Sequence, residues 1–173
     1  MHDRARTANL LGATALAVGD LALAGAARAA GVSVSGASAL VVLYWSRGVG
    51  VTELGRRVGL TQSAAARMVD SLEAAGLVER RPGEGRSVTV TSTRAGRRLA
   101  RDLLTARDAP LTHLLGALDD EEHQALAVLL AKLLARAYGE IGDTELLCRF
   151  CDRGACTDDA VCPVGQAERD RPD

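Results

Sequence analysis

The chain's four cysteines fall within fifteen residues, as Cys148-x2-Cys151-x4-Cys156-x5-Cys162, and Pro163 follows the last of them. A Cys-x2-Cys start sets two thiolates at the bite of one tetrahedral metal, and the later pair can close the site, a spacing similar to a zinc knuckle. Cysteine followed by proline is also frequent at iron–sulfur clusters. Zn2+ is the first expectation and an iron–sulfur cluster the alternative, since spacing alone does not separate the two metals. The bland reading is two disulfides, or free thiols in a loose tail; a cytoplasmic setting disfavours the disulfides.

A second group of residues suits a different chemistry. Reading a major groove takes short polar side chains on the first turns of a helix, flanked by cations that hold phosphates. Thr61, Gln62, Ser63 and Arg67 share such a face, opposite Ala65, Met68, Val69 and Leu72, which recur at three- and four-residue steps. Gln can pair with an adenine edge, and Arg with a guanine edge or a phosphate. Twenty residues on, Arg81-Pro82-Gly83-Glu84-Gly85-Arg86 is a turn between two alternating apolar runs. Arg86 at its tip can enter a minor groove, where narrow A/T tracts concentrate negative potential. Arg81 is available to a phosphate, and Arg80 is expected to pair internally. Arg56, Arg57, Arg94 and Arg97 are weaker candidates, as each also suits a solvated helix face.

Several elements are needed to position these groups. Thr61 is expected to cap the helix and Gly76 to end it in a left-handed turn. Before it, residues 51–60 predict a short helix with Leu54 and Val58 on one face and Thr52 as cap. Gly59 then supplies a tight turn of helix-turn-helix type. Residues 38–45 (SALVVLYW) predict a core helix capped by Ser35 or Ser38, with Trp45 as core. After the hairpin, residues 93–118 predict a long amphipathic helix with a kink at Pro110. Asp119 and Glu122 then form a capping box for a second helix carrying Leu126, Leu129, Leu130, Leu133 and Leu134. That is more leucine surface than a helix pair on a small domain buries by itself, and a dimer would cover it.

Composition narrows the field. At 173 residues with 2 % aromatics, the core must be built from Leu, Val and Ala. The net charge of −1 hides a division, for residues 47–107 hold twelve arginines against six acids whereas residues 140–173 are acidic. A basic centre with an acidic tail is a nucleic-acid signature. The apolar stretch from Thr7 to Ala30 imitates a secretory signal and approaches transmembrane length. Asp20 and Arg28 interrupt it at a cost in lipid, so a long helix packing small side chains on a partner is expected, and no membrane. His113 and His123 have no serine or cysteine placed to form a nucleophile pair, so no enzyme is expected.

The segment LTQSAAARMVDSLEAAGLVER, the Glu84-Gly85-Arg86 wing tip and the VTVTSTRAG exit resemble the MarR family of bacterial transcription regulators. The likeness covers roughly residues 5 to 141. The family's Asp-x-Arg at the wing is here Glu84-x-Arg86, and its Leu-Thr-x-x-Gly falls either on Val90-Thr91 with one residue extra or on Thr93-x-x-Gly96. The resemblance implies a mainly α fold with a small β-hairpin wing, a winged helix-turn-helix with N- and C-terminal dimerisation helices. The units expected are 1–32 for the first dimerisation helix, 33–95 for the DNA-binding domain, 96–142 for the last dimerisation helices, 143–165 for the Cys-rich tail and 166–173 for a disordered end. It further implies a cytoplasmic homodimer on a double-stranded DNA operator, a repressor answering to a small-molecule effector or to redox or metal state. The alternative from another class is a zinc-knuckle binder of single-stranded nucleic acid, which Phe150, the tail's one aromatic, serves poorly.

Overall fold

In the computed structural model, residues 3–83 and 88–171 are described. The chain opens with helix α1, Arg4–Val18, capped by Asp3, whose carboxylate accepts from the Ala5 amide at 3.0 Å. A π-helical turn, Gly19–Ala24, and α2, Gly25–Ala29, continue it. By length and composition this run could cross a membrane. Its second half is nevertheless part of the domain, with Ala22, Ala26 and Ala27 buried and the run packed on later helices.

Helix α3, Val34–Tyr44, is the centre of the core and is buried from Gly36 to Leu43. A helix apolar on every side must be enclosed on every side. Its cap is Ser33, which accepts from Gly36 at 3.0 Å, and neither Ser35 nor Ser38. Ser38 lies inside the helix and is buried, and Ser35 already lies within the first turn. Trp45, expected in the core, is 38 % exposed because α3 ends at Tyr44 and turns outward.

The helix-turn-helix and its hairpin follow. Strand β1 (Val49–Gly50) leads into helix α4 (Val51–Arg57), then α5 (Gln62–Ala74), β2 (Val78–Pro82) and β3 (Val88–Ser92). Gly50, not Thr52, holds the cap position of α4, since the helix begins two residues earlier than Thr52 would require. The sheet order is β1-β3-β2, antiparallel throughout, with Val90 opposite both Val49 and Arg80. Close contact between α4 and α5 depends on Gly55: a Cβ there would stand 2.6 Å from the Ala65 Cβ. Leu40, Leu43, Leu54, Val69, Val78 and Val90 close the core around this unit.

Helix α6, Arg94–Leu115, runs as one helix through Pro110. Thr93 is its cap, accepting from Gly96 at 3.1 Å and donating to the Gly76 carbonyl at 2.7 Å. Thr93-x-x-Gly96 is therefore the register in which the strand exits, and Gly96 is required there because a Cβ would sit 1.9 Å from the Leu77 carbonyl oxygen. Helix α7, Asp120–Ile141, starts with the expected box, Asp119 accepting from Glu122 at 2.9 Å and Glu122 from Asp119 at 3.1 Å. Leu129, Leu130, Leu133, Leu134 and Ile141 stand exposed along it, Leu129 to 55 %, and Leu10, Leu11 and Leu16 stand exposed on α1.

The tail is folded. Helices α8 (Thr144–Leu147), α9 (Arg153–Thr157) and α10 (Pro163–Arg169) follow, and α10 packs along α7. Residues 166–169, expected in a disordered end, belong to α10. Pro163 starts that helix, Cys162 caps it and Val164 anchors it in a buried position.

Candidate nucleic-acid interface and cysteine cavity

The side chains expected to read DNA stand on α5 as its apolar face dictates. Ala65, Met68, Val69 and Leu72 are buried, which turns Thr61, Gln62, Ser63 and Arg67 outward, all four exposed. Thr61 is committed to the cap, accepting from the Ala64 amide at 3.4 Å, so Gln62, Ser63 and Arg67 carry the polar face. Arg67 has no ion-pair partner among the described residues. The tight turn before α5 holds Gly59 at φ +74°, a left-handed conformation that a side chain rarely adopts.

The wing root is tied to the same helix. Arg80 pairs with both Glu73 and Asp70 of α5, the latter at 2.6 Å, and its amide donates to Glu73 at 3.1 Å. Arg80 thus pairs internally as its position suggested. Arg81, on the exposed side, pairs with Glu79 at 2.5 Å, a surface contact that a phosphate can displace. Arg86, at the wing tip, lies outside the described residues.

The sequence profile of the MarR family matches residues 32–86, which span α3, the helix-turn-helix and the wing root. The chain carries a MarR-family winged-helix domain. Solved structures agree. The YusO protein of Bacillus subtilis is 25 % identical with a TM-score of 0.65, over 77 % of this chain and 96 % of that one. The MarR family protein Rv2887 of Mycobacterium tuberculosis is 27 % identical with a TM-score of 0.62, over 76 % and 95 %. A MarR-family transcriptional regulator from Silicibacter pomeroyi is 29 % identical with a TM-score of 0.57, over 75 % and 88 %. No curated protein matches in sequence. A winged-helix domain of this family makes the chain a DNA-binding transcriptional regulator; the solved relatives are covered nearly whole, while about a quarter of this chain has no counterpart in them.

Two basic candidates from the MarR-family domain turn out to be engaged by the tail. Arg56 is held by Glu53 at 2.8 Å and also by Asp143, beyond the end of α7. Arg57 is held by Glu53 at 2.8 Å and by Glu145 of α8 at 3.3 Å. With both guanidiniums bonded to it, Arg56 first, the Glu53 carboxyl is lowered to about 2. Glu145 in turn accepts from Arg153 of α9 at 2.7 Å, which joins α4 to the cysteine loop. Leu146 reaches the helix-turn-helix turn itself, its Cδ1 lying 3.3 Å from where a Cβ on Gly59 would be. These partners are almost ninety positions apart in the chain, and nothing in the local sequence announces them.

Cys148, Cys151, Cys156 and Cys162 all line one cavity of about 190 Å3, together with Thr144, Glu145, Arg153 and Thr157. All four are free thiols. They stand as two neighbouring pairs, Cys148 beside Cys151 and Cys156 beside Cys162. The bond from Cys148 lowers Cys151 to about 6 against the opposing effect of burial, and Arg107, Arg153 and Arg149 lower it further. Cys148 is correspondingly raised. The Gly165 amide donates to the Cys162 sulfur at 3.5 Å. Among the described residues no three His, Cys, Asp or Glu side chains are grouped to hold a metal ion; the four thiols line a shared space instead.

Two further features sit beside these sites. Phe150 packs against the main core, which removes the one aromatic a single-stranded nucleic-acid binder would stack on. Trp45 faces the tail, its ring 3.6 Å from where a Cβ on Gly154 would begin. An open pocket of about 430 Å3 at the wing root is lined by Tyr44, Trp45, Arg47, Arg81 and Arg97 among others, and Arg97 lies 5.3 Å over the Tyr44 ring.

Proposed function

We propose that this regulator acts in the cytoplasm as a homodimeric repressor on a near-palindromic operator, reading each half-site with Gln62, Ser63 and Arg67 of α5. The observation that carries the reading is the exposed polar first turn of α5, fixed on one side by the Gly55 crossing and on the other by Arg80. Thr61 orders that turn as its cap, while Arg81 and Arg86 supply phosphate and minor-groove contacts. The exposed leucines of α7 and α1 supply the apolar surface that a second copy would cover. Two recognition helices must then meet successive major grooves about 34 Å apart, and whatever changes their separation changes affinity. The pocket at the wing root, where Arg47, Arg81 and Arg97 outnumber Glu79, suits a small anionic effector.

Titration of duplex DNA at several salt concentrations tests this. If the dimer neutralises about eight phosphates, log K falls against log salt with a slope near about −7. Arg67→Ala should relax sequence preference, whereas Arg86→Ala should weaken binding and alter mainly the preference for flanking A/T content. Equal affinity for all sequences, or no salt dependence, would overturn the reading.

A further inference from the structure

We propose that Cys148, Cys151, Cys156 and Cys162 ligate an iron–sulfur cluster in the cavity they line, and that the cluster holds the tail against the helix-turn-helix. The four sulfurs come from three places on the chain: the end of α8, the loop and helix α9, and the cap of α10. Only the fold brings them to one cavity. Their arrangement as two pairs around about 190 Å3 distinguishes between metals. A single zinc ion needs four sulfurs at about 2.3 Å from one point, and among the described residues no three such side chains are grouped to hold one ion. A cluster spreads its ligand positions over several ångströms and fills a space of this kind.

The rest of the cavity fits an anionic, sulfide-bearing guest. Thr144 Oγ1 is buried in its lining with no hydrogen-bond partner, a donor placed for a cluster sulfide or a cysteine sulfur. Arg153 lines the cavity, and Arg107 and Arg149 stand near Cys151 as further positive charges. The Gly165 amide already bonds the Cys162 sulfur, an N–H···S contact of the type that tunes such centres.

Occupancy has a direct route to DNA. Glu145, between the cavity and α4, bonds Arg153 on one side and Arg57 on the other, and Leu146 lies against the turn at Gly59. Emptying the cavity loosens the short helices α8 and α9, which have few contacts of their own. It thereby releases α4 from Asp143 and Glu145. This last step rests on the regulator reading above, whereas the cluster does not.

The test begins with metal and acid-labile sulfide analysis of the full-length protein purified without oxygen. The expectation is on the order of two to four irons per chain with matching sulfide and a visible absorption band. Cys151→Ser and Cys156→Ser should each lose iron while keeping the far-ultraviolet circular dichroism of the parent. Stripping the wild type with a chelator, then reconstituting it with ferrous iron and sulfide, should weaken specific DNA binding about tenfold and then restore it. Stoichiometric zinc without sulfide would overturn the cluster in favour of a single ion, and metal-free protein that cannot be reconstituted would overturn both. Cluster-loaded and stripped proteins with equal DNA affinity would overturn the coupling. Loaded protein that shows no sequence-specific binding at all would refute the regulator reading and leave the cluster standing.

Discussion

Arg80, at the root of the wing, bonds Asp70 of α5 at 2.6 Å while also pairing with Glu73 of the same helix. The second strand of the unit is thereby keyed to its recognition helix, and the pair of acids raises the Arg80 pKa above its ordinary value, Asp70 contributing most. Arg80→Ala should cost about 1 kcal/mol of stability, a modest figure because all three side chains are partly exposed. Its effect on DNA binding should exceed that, since the wing loses its angle to α5. Urea midpoints for Arg80→Ala, Glu73→Ala and the double variant would give a non-additive cycle; full additivity would show that the contact carries no coupling.

Glu53 predicts a response to acid. Its carboxyl has an ordinary value of 4.5 and is held at about 2 in the folded chain by Arg56 and Arg57. A lowered folded value means that the stabilisation is complete above 4.5 and is lost as pH falls through 2. Urea midpoints measured at roughly pH 6 and roughly pH 3 should drop further for the parent than for Glu53→Gln, which has no such proton to gain. Equal drops would show that the two arginines do not hold this carboxylate in solution.

Leu133 is 47 % exposed at the middle of α7, on the face that also shows Leu129, Leu130 and Leu134. In the proposed dimer Leu133→Asp would bury an unpaired charge. Sedimentation should show monomers, and operator affinity should fall by more than tenfold, since each half-site would bind alone. A stable Leu133→Asp dimer with normal operator binding would place the interface on another face.

Much of this architecture is legible before any coordinates. Ala65, Met68, Val69 and Leu72 declare the buried face of α5, and Thr61 and Gly76 declare its ends, because cap and stop are properties of single residues. The Asp119–Glu122 box is equally local. The cap of α3 is less legible: Ser35 and Ser38 read as its caps, yet Ser33 holds the position because α3 starts early enough to bury Gly36 through Leu43. Strand β1 is two residues long and leaves no alternation to detect. Arg56 and Arg57 read as solvated or phosphate-seeking arginines because their partners Asp143 and Glu145 lie in a different part of the chain. The positions of the four cysteines are plain in the sequence, but their pairing around a shared cavity emerges only when α10 folds back on α7.

The placement of Trp45 has a practical consequence. It is the chain's one tryptophan, it is partly exposed at the end of α3, and its ring faces Gly154 in the cysteine loop. Its fluorescence therefore reports from the seam between the DNA-binding unit and the tail. The molecule carries its own optical gauge of tail docking, readable in real time without a dye or label.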